Sequence, residues 1–356
     1  MYYIEEKQVS SNIDEVDRFL EKAGSSIFQT FEMARVQRET YGEEPHLLVV
    51  MNNKQISGVL FYGRRPWAGD DYIVGDGPIC SDLTSFKLIM AHFLQEVHDT
   101  TDKVSIYTSP FYGHYNHFGQ LNELKVSPVF SFVKSLKESK ETIWKELHKH
   151  ARNDVRKSIK EGTQIVEIKD KKLASLQFSR LSQATLQRDD FPSYLPASKN
   201  RCKLADAVLK HLAPKNMAKV FFAITPDEEF IGTAMVVKFG ALSHLYAVGF
   251  DYAFRSYRPM DRLLWHSIEW LKDEGVNAFD LMAVRKEASG SEQKGIYEFK
   301  NKWAGRKMEP VEHNLYYHVS PKFYIHALRT QPVLCLRVAV DNFVRRRGLY
   351  TGVHLR

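Results

Sequence analysis

Lys300 closes the run Gly295-Ile296-Tyr297-Glu298-Phe299-Lys300, and Trp303-Ala304-Gly305 follows it closely. A lysine held beside apolar rings can act as an electrostatic clamp, because its charge then works in a partly desolvated site. An ordinary exposed lysine at a helix start is the plain alternative. Asp280 lies upstream in the strand-like run Ala278-Phe279-Asp280-Leu281-Met282-Ala283-Val284. Its carboxylate can accept a proton or orient an amine, and it serves equally well as a structural hydrogen-bond acceptor. Arg255, Tyr257 and Arg258 precede a helix start, where the dipole and unpaired N–H groups favour an anion. Turn packing around Pro259 accounts for them just as well.

The elements that must position these residues come in two copies. Ile56-Ser57-Gly58 and Tyr72-Ile73-Val74-Gly75 recur as Phe230-Ile231-Gly232 and Tyr246-Ala247-Val248-Gly249. The glycines, the tyrosine and the valine keep one constant offset, which favours duplication over chance. Each copy opens with an apolar run, Leu47 to Met51 or Val220 to Ile224. A turn and a second apolar run follow, which is a β-hairpin signature. A third strand, a helix and a further strand then complete each copy. The second helix is expected over 261–274, with Leu264, Ile268 and Leu271 on one stripe, Asp261 as N-cap and Gly275 as stop. The first copy's helix is expected over 86–97.

Residues 134–141 are charged and read as a linker between a first domain, 1–133, and a second, 142–320. A single helix is expected over 142–161, ended by Gly162, with Ile143, Leu147, Ala151 and Val155 on its apolar stripe. Lys145, Lys149, Arg152, Arg156 and Lys160 line another stripe, which suits either a solvated face or a grip on phosphates. Residues 321–356 form a basic C-terminal extension that either packs as a terminal helix or rests on an anionic membrane.

Composition narrows the class. At 356 residues the chain suits two domains, and 44% hydrophobic content supports packed cores rather than disorder. The net charge of +7 favours an anionic partner, although many soluble enzymes are as basic. Cys80, Cys202 and Cys335 have no metal-ligand spacing, and His114 with His117 lacks a third ligand. No metal or bound cofactor is expected. The start lacks a signal-peptide pattern and no run is long enough to span a membrane, so a cytoplasmic location is expected, with peripheral contact at the inner face.

Taken in order, several segments resemble the Fem-type (FemAB-like) peptidyltransferases within the wider tandem N-acetyltransferase-like (GNAT) group. They are Ile27-Phe28-Gln29-Thr30 with Tyr41-Gly42, the basic helix with Trp144 and Arg152 to Lys157, Arg255-Ser256-Tyr257-Arg258-Pro259, Phe279-Asp280-Leu281-Met282 and Phe299-Lys300. The resemblance implies two tandem α/β (mixed α+β) GNAT-like domains and transfer of an aminoacyl group from aminoacyl-tRNA to an amine of a cell-wall peptide precursor. It implies that Lys300 stabilises the transition state; Asp280, read from its own place in the strand, is the second catalytic candidate. Tyr246 and Phe299, in the matching passages, join Arg152, Arg156, Arg255, Tyr257 and Arg258 as candidate substrate-binding residues.

Two other readings stay open. An acyl-CoA donor would need a glycine-rich turn before the second-copy helix, and Arg255 to Asp261 holds a proline and no glycine there. A non-catalytic nucleic-acid binder would use the basic stripe and Arg345-Arg346-Arg347, but the rings lie in strand patterns rather than on a stacking platform. Ser289-Gly290-Ser291 reads as a substrate lid.

Overall fold

The first repeat folds in the order β1 (Tyr2–Glu6), α1 (Ile13–Lys22), a 3₁₀ turn (Ile27–Gln29), α2 (Phe31–Tyr41), β2 (Glu44–Asn52), β3 (Gln55–Pro66), β4 (Asp70–Gly75), β5 (Ile79–Cys80), α3 (Leu83–Thr100) and β6 (Lys103–Tyr107). The chain continues through β7 (Lys125–Ser135), α4 (Lys140–Glu146), α5 (Lys149–Lys160), β8 (Gln164–Val166), α6 (Lys171–Arg188) and α7 (Arg201–His211). The second hairpin and its helix follow as β9 (Ala218–Ile224), β10 (Phe230–Phe239), β11 (Leu242–Phe250), α8 (Pro259–Asp273), β12 (Ala278–Arg285), α9 (Lys294–Ala304) and β13 (Val311–Val319). This computed structural model describes residues 2–6, 13–66, 70–100, 103–111, 124–188, 200–285, 294–304 and 311–319. His114, His117, the loop 289–291 and the extension 321–356 lie outside the described residues.

Local sequence sets the hairpins. Asn53 and Lys54 both take positive φ, 49° and 67°, giving the two-residue primed turn whose twist matches the strands it joins. The glycine echo has a packing cause. A Cβ on Gly249 would lie 2.4 Å from the backbone N of Ser182, so only glycine lets β11 meet α6 this closely. A Cβ on Gly232 would meet Pro259 at 3.0 Å and Leu263 at 3.2 Å, at the start of α8.

All strands join one mixed, mostly antiparallel sheet in the order β1-β2-β3-β4-β6-β13-β7-β12-β11-β10-β9-β8, with β5 beside β3. Each half lends a strand to the other. β7 follows β6 along the chain yet pairs with β12, whereas β13 follows β12 and pairs with β6. The two exchanged strands pair with each other at the centre. Nothing local dictates this exchange, because a strand's alternation does not name its neighbour.

The cores follow the same logic. One apolar cluster joins Val16, Leu20 and Val36 of the first half to Phe178, Val208 and Phe222 of the second. Separate clusters sit under α3 and under α5, α8 and α9. Burying each such side chain contributes about 1.5–3 kcal/mol, so the shared cluster fixes the two halves against each other. The helix expected over 142–161 is instead two. Leu147 and His148 take extended backbone, ψ 148° and 143°, which buries Leu147 completely and lets His148 Nδ1 accept the His150 N–H. The segment 134–141 comprises the end of β7, a short connection and the start of α4.

Candidate active site at the seam

β11 and β12 run parallel and pair only over Leu242–His244 with Ala278–Asp280, after which they part. His244 and Asp280 sit at that fork. His244 Nδ1 lies 3.3 Å from Asp280 Oδ2, and its Nε2 lies 3.2 Å from Ser26 Oγ of the first half. Asp76, also from the first half, brings Oδ2 to 4.0 Å from the same Nε2. Phe28 and Phe111 meet the imidazole edge-on, with centroids at 5.0 and 5.5 Å. Histidine and carboxylates are thus buried together, and each polar atom in the chain Ser26–His244–Asp280 finds a partner.

This cluster forms part of the wall of a cavity of ≈ 350 Å³ whose lining includes Phe28, Phe61, Asp76, His244, Asp280 and Met282. Low-dielectric surroundings strengthen the polar interactions there. Behind the wall, β12 bulges between Asp280 and Ala283, and Met282 takes φ 67°. Its N–H donates to Asp280 Oδ1 at 2.9 Å, and its carbonyl accepts from Lys300 Nζ at 2.8 Å. Lys300 also reaches the Ala283 carbonyl at 3.4 Å. Burial brings the Lys300 ammonium down to about 8, and the charge of Asp280 opposes that shift. Lys300 therefore sits beside the cavity wall without being among the described residues that line it.

The other expected residues are distributed unevenly. Tyr246 borders the site: its hydroxyl accepts from Gln37 at 3.0 Å, its ring lies 5.8 Å from Phe28, and burial pushes its phenol well above the usual range. Phe299 packs into the second-half core, with Lys302 Nζ 5.2 Å from its ring. Arg152 donates to the Lys145 carbonyl at 2.8 Å, and Arg156 lies 5.5 Å over Trp144. Arg255 stacks on Tyr252 at 4.7 Å, and the Tyr257 carbonyl accepts from Thr163. None of these six, nor Arg258, is among the described residues lining the cavity.

Arg258 precedes α8 with φ 53° and pairs with Asp154 at 3.3 Å. Asp261, expected as the N-cap, lies within the first turn instead. Its carboxylate accepts from Trp303 Nε1 at 2.9 Å and from Lys302 at 2.6 Å, and Lys302 also binds Asp154 at 2.9 Å. Burial raises the Asp261 carboxyl, with Lys302 opposing. A carboxylate thus already occupies the helix end that would otherwise attract phosphate.

Sequence reasoning missed His244, Ser26 and Asp76. A histidine facing inward from an otherwise apolar strand was the available signal for the first, and the turn at Asp76-Gly77-Pro78 for the third. No cluster of His, Cys, Asp or Glu suited to a metal occurs among the described residues, and no described helix is long and apolar enough to cross a membrane.

Comparison with known proteins fits this geometry. Residues 149–301 match the family model for an acetyltransferase (GNAT) domain. The chain carries a GNAT acyltransferase domain. The GNAT match runs from the start of α5 into α9, and so includes His244, Asp280 and Lys300. No curated protein sequence matches the chain. Among solved structures, FemX superposes with TM-score 0.68 at 12% identity, covering 89% of this chain and 98% of FemX. A tandem GNAT protein from the clavulanic acid biosynthesis pathway gives 0.56 at 10% identity, covering 89% and 98%. The C-terminal domain of a putative lysylphosphatidylglycerol synthetase from Agrobacterium fabrum gives 0.54 at 14% identity, covering 90% and 96%. The tandem GNAT-like fold expected from the sequence is the fold observed.

Proposed function

We propose that the protein transfers an aminoacyl group from aminoacyl-tRNA to an amine, with the seam cavity holding the reacting amine and a cell-wall peptide precursor as the acceptor class. The observation that carries this reading is the buried His244–Asp280 pair at the fork of β11 and β12, facing an apolar cavity. Amide formation from an ester needs a neutral amine, close alignment with the carbonyl and a partner for the developing oxyanion. Asp280 accepts the amine N–H from the cavity wall and takes its proton as the N–C bond forms. Lys300 gives two of its three donors to the Met282 and Ala283 carbonyls; from behind the cavity wall its positive charge stabilises the charge gathering on the ester oxygen. The proton on Asp280 then passes to the departing alcohol as the C–O bond breaks. Proton transfer of this kind contributes about 10²–10⁴ in rate, and one oxyanion partner about 10²–10³.

The choice of donor draws support from two features. The start of α8 presents the Asp261 carboxylate and the Arg258–Asp154 pair, a poor seat for the pyrophosphate of an acyl-CoA. The basic face of α5 carries Arg152, Arg156 and Lys160, which suits a polynucleotide. The test is to incubate the protein separately with charged transfer RNAs and with acyl-CoAs, each with candidate amines, and to follow product mass. Loss of the aminoacyl ester with formation of its amide is expected. Release of CoA with acylated amine would replace this reading.

A further inference from the structure

We infer that Ser26 is a positioning residue for the transfer reaction: its hydroxyl, supplied by the first half, sets the tautomer of His244 and through it the orientation of the Asp280 carboxylate. The inference rests on the reading of Asp280 as the group that takes the amine's proton. A carboxylate only accepts hydrogen bonds, so the 3.3 Å contact between Asp280 Oδ2 and His244 Nδ1 requires the proton on Nδ1. In the neutral ring Nε2 is then an acceptor; Ser26 Oγ lies 3.2 Å from it, within hydrogen-bond reach, whereas the Asp76 carboxylate stays 4.0 Å away. The same oxygen accepts the Phe28 N–H at 3.3 Å, which leaves its single proton for Nε2. The opposite tautomer would set the bare lone pair of Nδ1 against a carboxylate and waste the serine proton. The chain Ser26 O–H, His244, Asp280 therefore has one direction. Asp280 Oδ1 is held separately by the Met282 N–H, so both carboxylate oxygens are fixed while lone pairs remain for the cavity.

A serine, a histidine and an aspartate in series also suggest a covalent nucleophile. Burial decides against it. Ser26 is 0% exposed and is not among the described residues on the cavity wall, whereas His244 and Asp280 are on it. No acyl carbon reaches Oγ, so Ser26 acts through His244. It also makes one half of the protein complete a catalytic arrangement carried by the other.

The test compares Ser26→Ala and Ser26→Thr with the wild type by imidazole ¹⁵N spectroscopy and steady-state kinetics, with the His244 signal assigned by its loss in His244→Gln. The wild type should show His244 as the single Nδ1–H tautomer. Ser26→Ala should mix the tautomers and lower kcat about tenfold with little change in KM. Ser26→Thr, which keeps the hydroxyl, should restore both. If Ser26→Ala keeps one tautomer and wild-type kcat while losing only thermal stability, the hydroxyl is no more than a cap for Phe28 and the inference fails. An acyl adduct trapped on Ser26 would also overturn it. Full activity of Asp280→Asn would instead remove the functional reading on which it rests.

Discussion

Asp280 and Lys300 hold the two polar groups of one residue: Asp280 Oδ1 accepts the Met282 N–H at 2.9 Å, and Lys300 Nζ donates to the Met282 carbonyl at 2.8 Å. Met282 has φ 67°, a conformation that costs a non-glycine residue on the order of 1–3 kcal/mol and is kept only where its surroundings enforce it. The carboxylate and the ammonium thus share a strained bulge at the point where β12 leaves β11. The bulge turns Asp280 and Met282 toward the cavity and places Lys300 against its outer side.

The Lys300 ammonium gives the first expectation. Because it sits near 8 in the folded protein, turnover should fall as pH rises through about 8 and its charge is lost. Lys300→Ala should lower kcat by about 10²–10³ with the fold intact, and Lys300→Arg, whose charge persists at higher pH, should move the alkaline limb upward. A kcat profile between pH 6 and 10 for the three proteins checks this; an unshifted limb would remove Lys300 from the charge-bearing role.

The same shift has a stability consequence of defined sign. Between about 8 and the ordinary lysine value of 10.5, the folded protein binds fewer protons than the unfolded chain. Stability gained through Lys300 therefore rises with pH across that window and is absent below it. Urea unfolding at successive pH values should show this slope in the wild type and a flatter one in Lys300→Met.

Gly249→Ala probes the packing of the second half. The new methyl would meet the α6 backbone at Leu181 and Ser182, and backbone cannot swing aside as a side-chain tip can. A loss of about 1–3 kcal/mol is expected, measured by denaturant unfolding. Gly275→Ala, where nothing lies within 4 Å but φ is 72°, tests backbone strain alone and should cost less.

Arg152 and Arg156 test the polynucleotide donor. Replacing both with glutamine should weaken binding of charged transfer RNA and reduce the slope of log affinity against log salt by about 1–2. Fluorescence titration at several salt concentrations reads this directly. An unchanged slope would take the α5 face out of donor binding.

Much of the scaffold was legible in the sequence because its constraints are local. Gly58 with Gly232, and Tyr72 with Tyr246, echo each other where each copy needs close packing or an inward ring. Gly162 and Gly275 mark helix ends through their positive φ. The β7–β13 exchange was not legible, since strand pairing is non-local and both strands alternate alike. The break at Leu147–His148 carries neither glycine nor proline, and burial of Leu147 produces it. His244 looked like any strand residue, because its partner Ser26 lies 218 residues away in the chain and Asp280 lies 36 residues on, in the neighbouring strand. Asp280 and Lys300 were found as isolated candidates; that they meet at Met282 is information only the fold contains.

The most direct test of the account is single-turnover amide formation by Asp280→Asn at saturating aminoacyl-tRNA and amine. The account predicts a rate lower by about 10²–10⁴, with substrate affinity and unfolding midpoint close to wild type. A rate within a factor of about two of the wild type would contradict it, because the carboxylate at the seam would then have no part in the proton transfer.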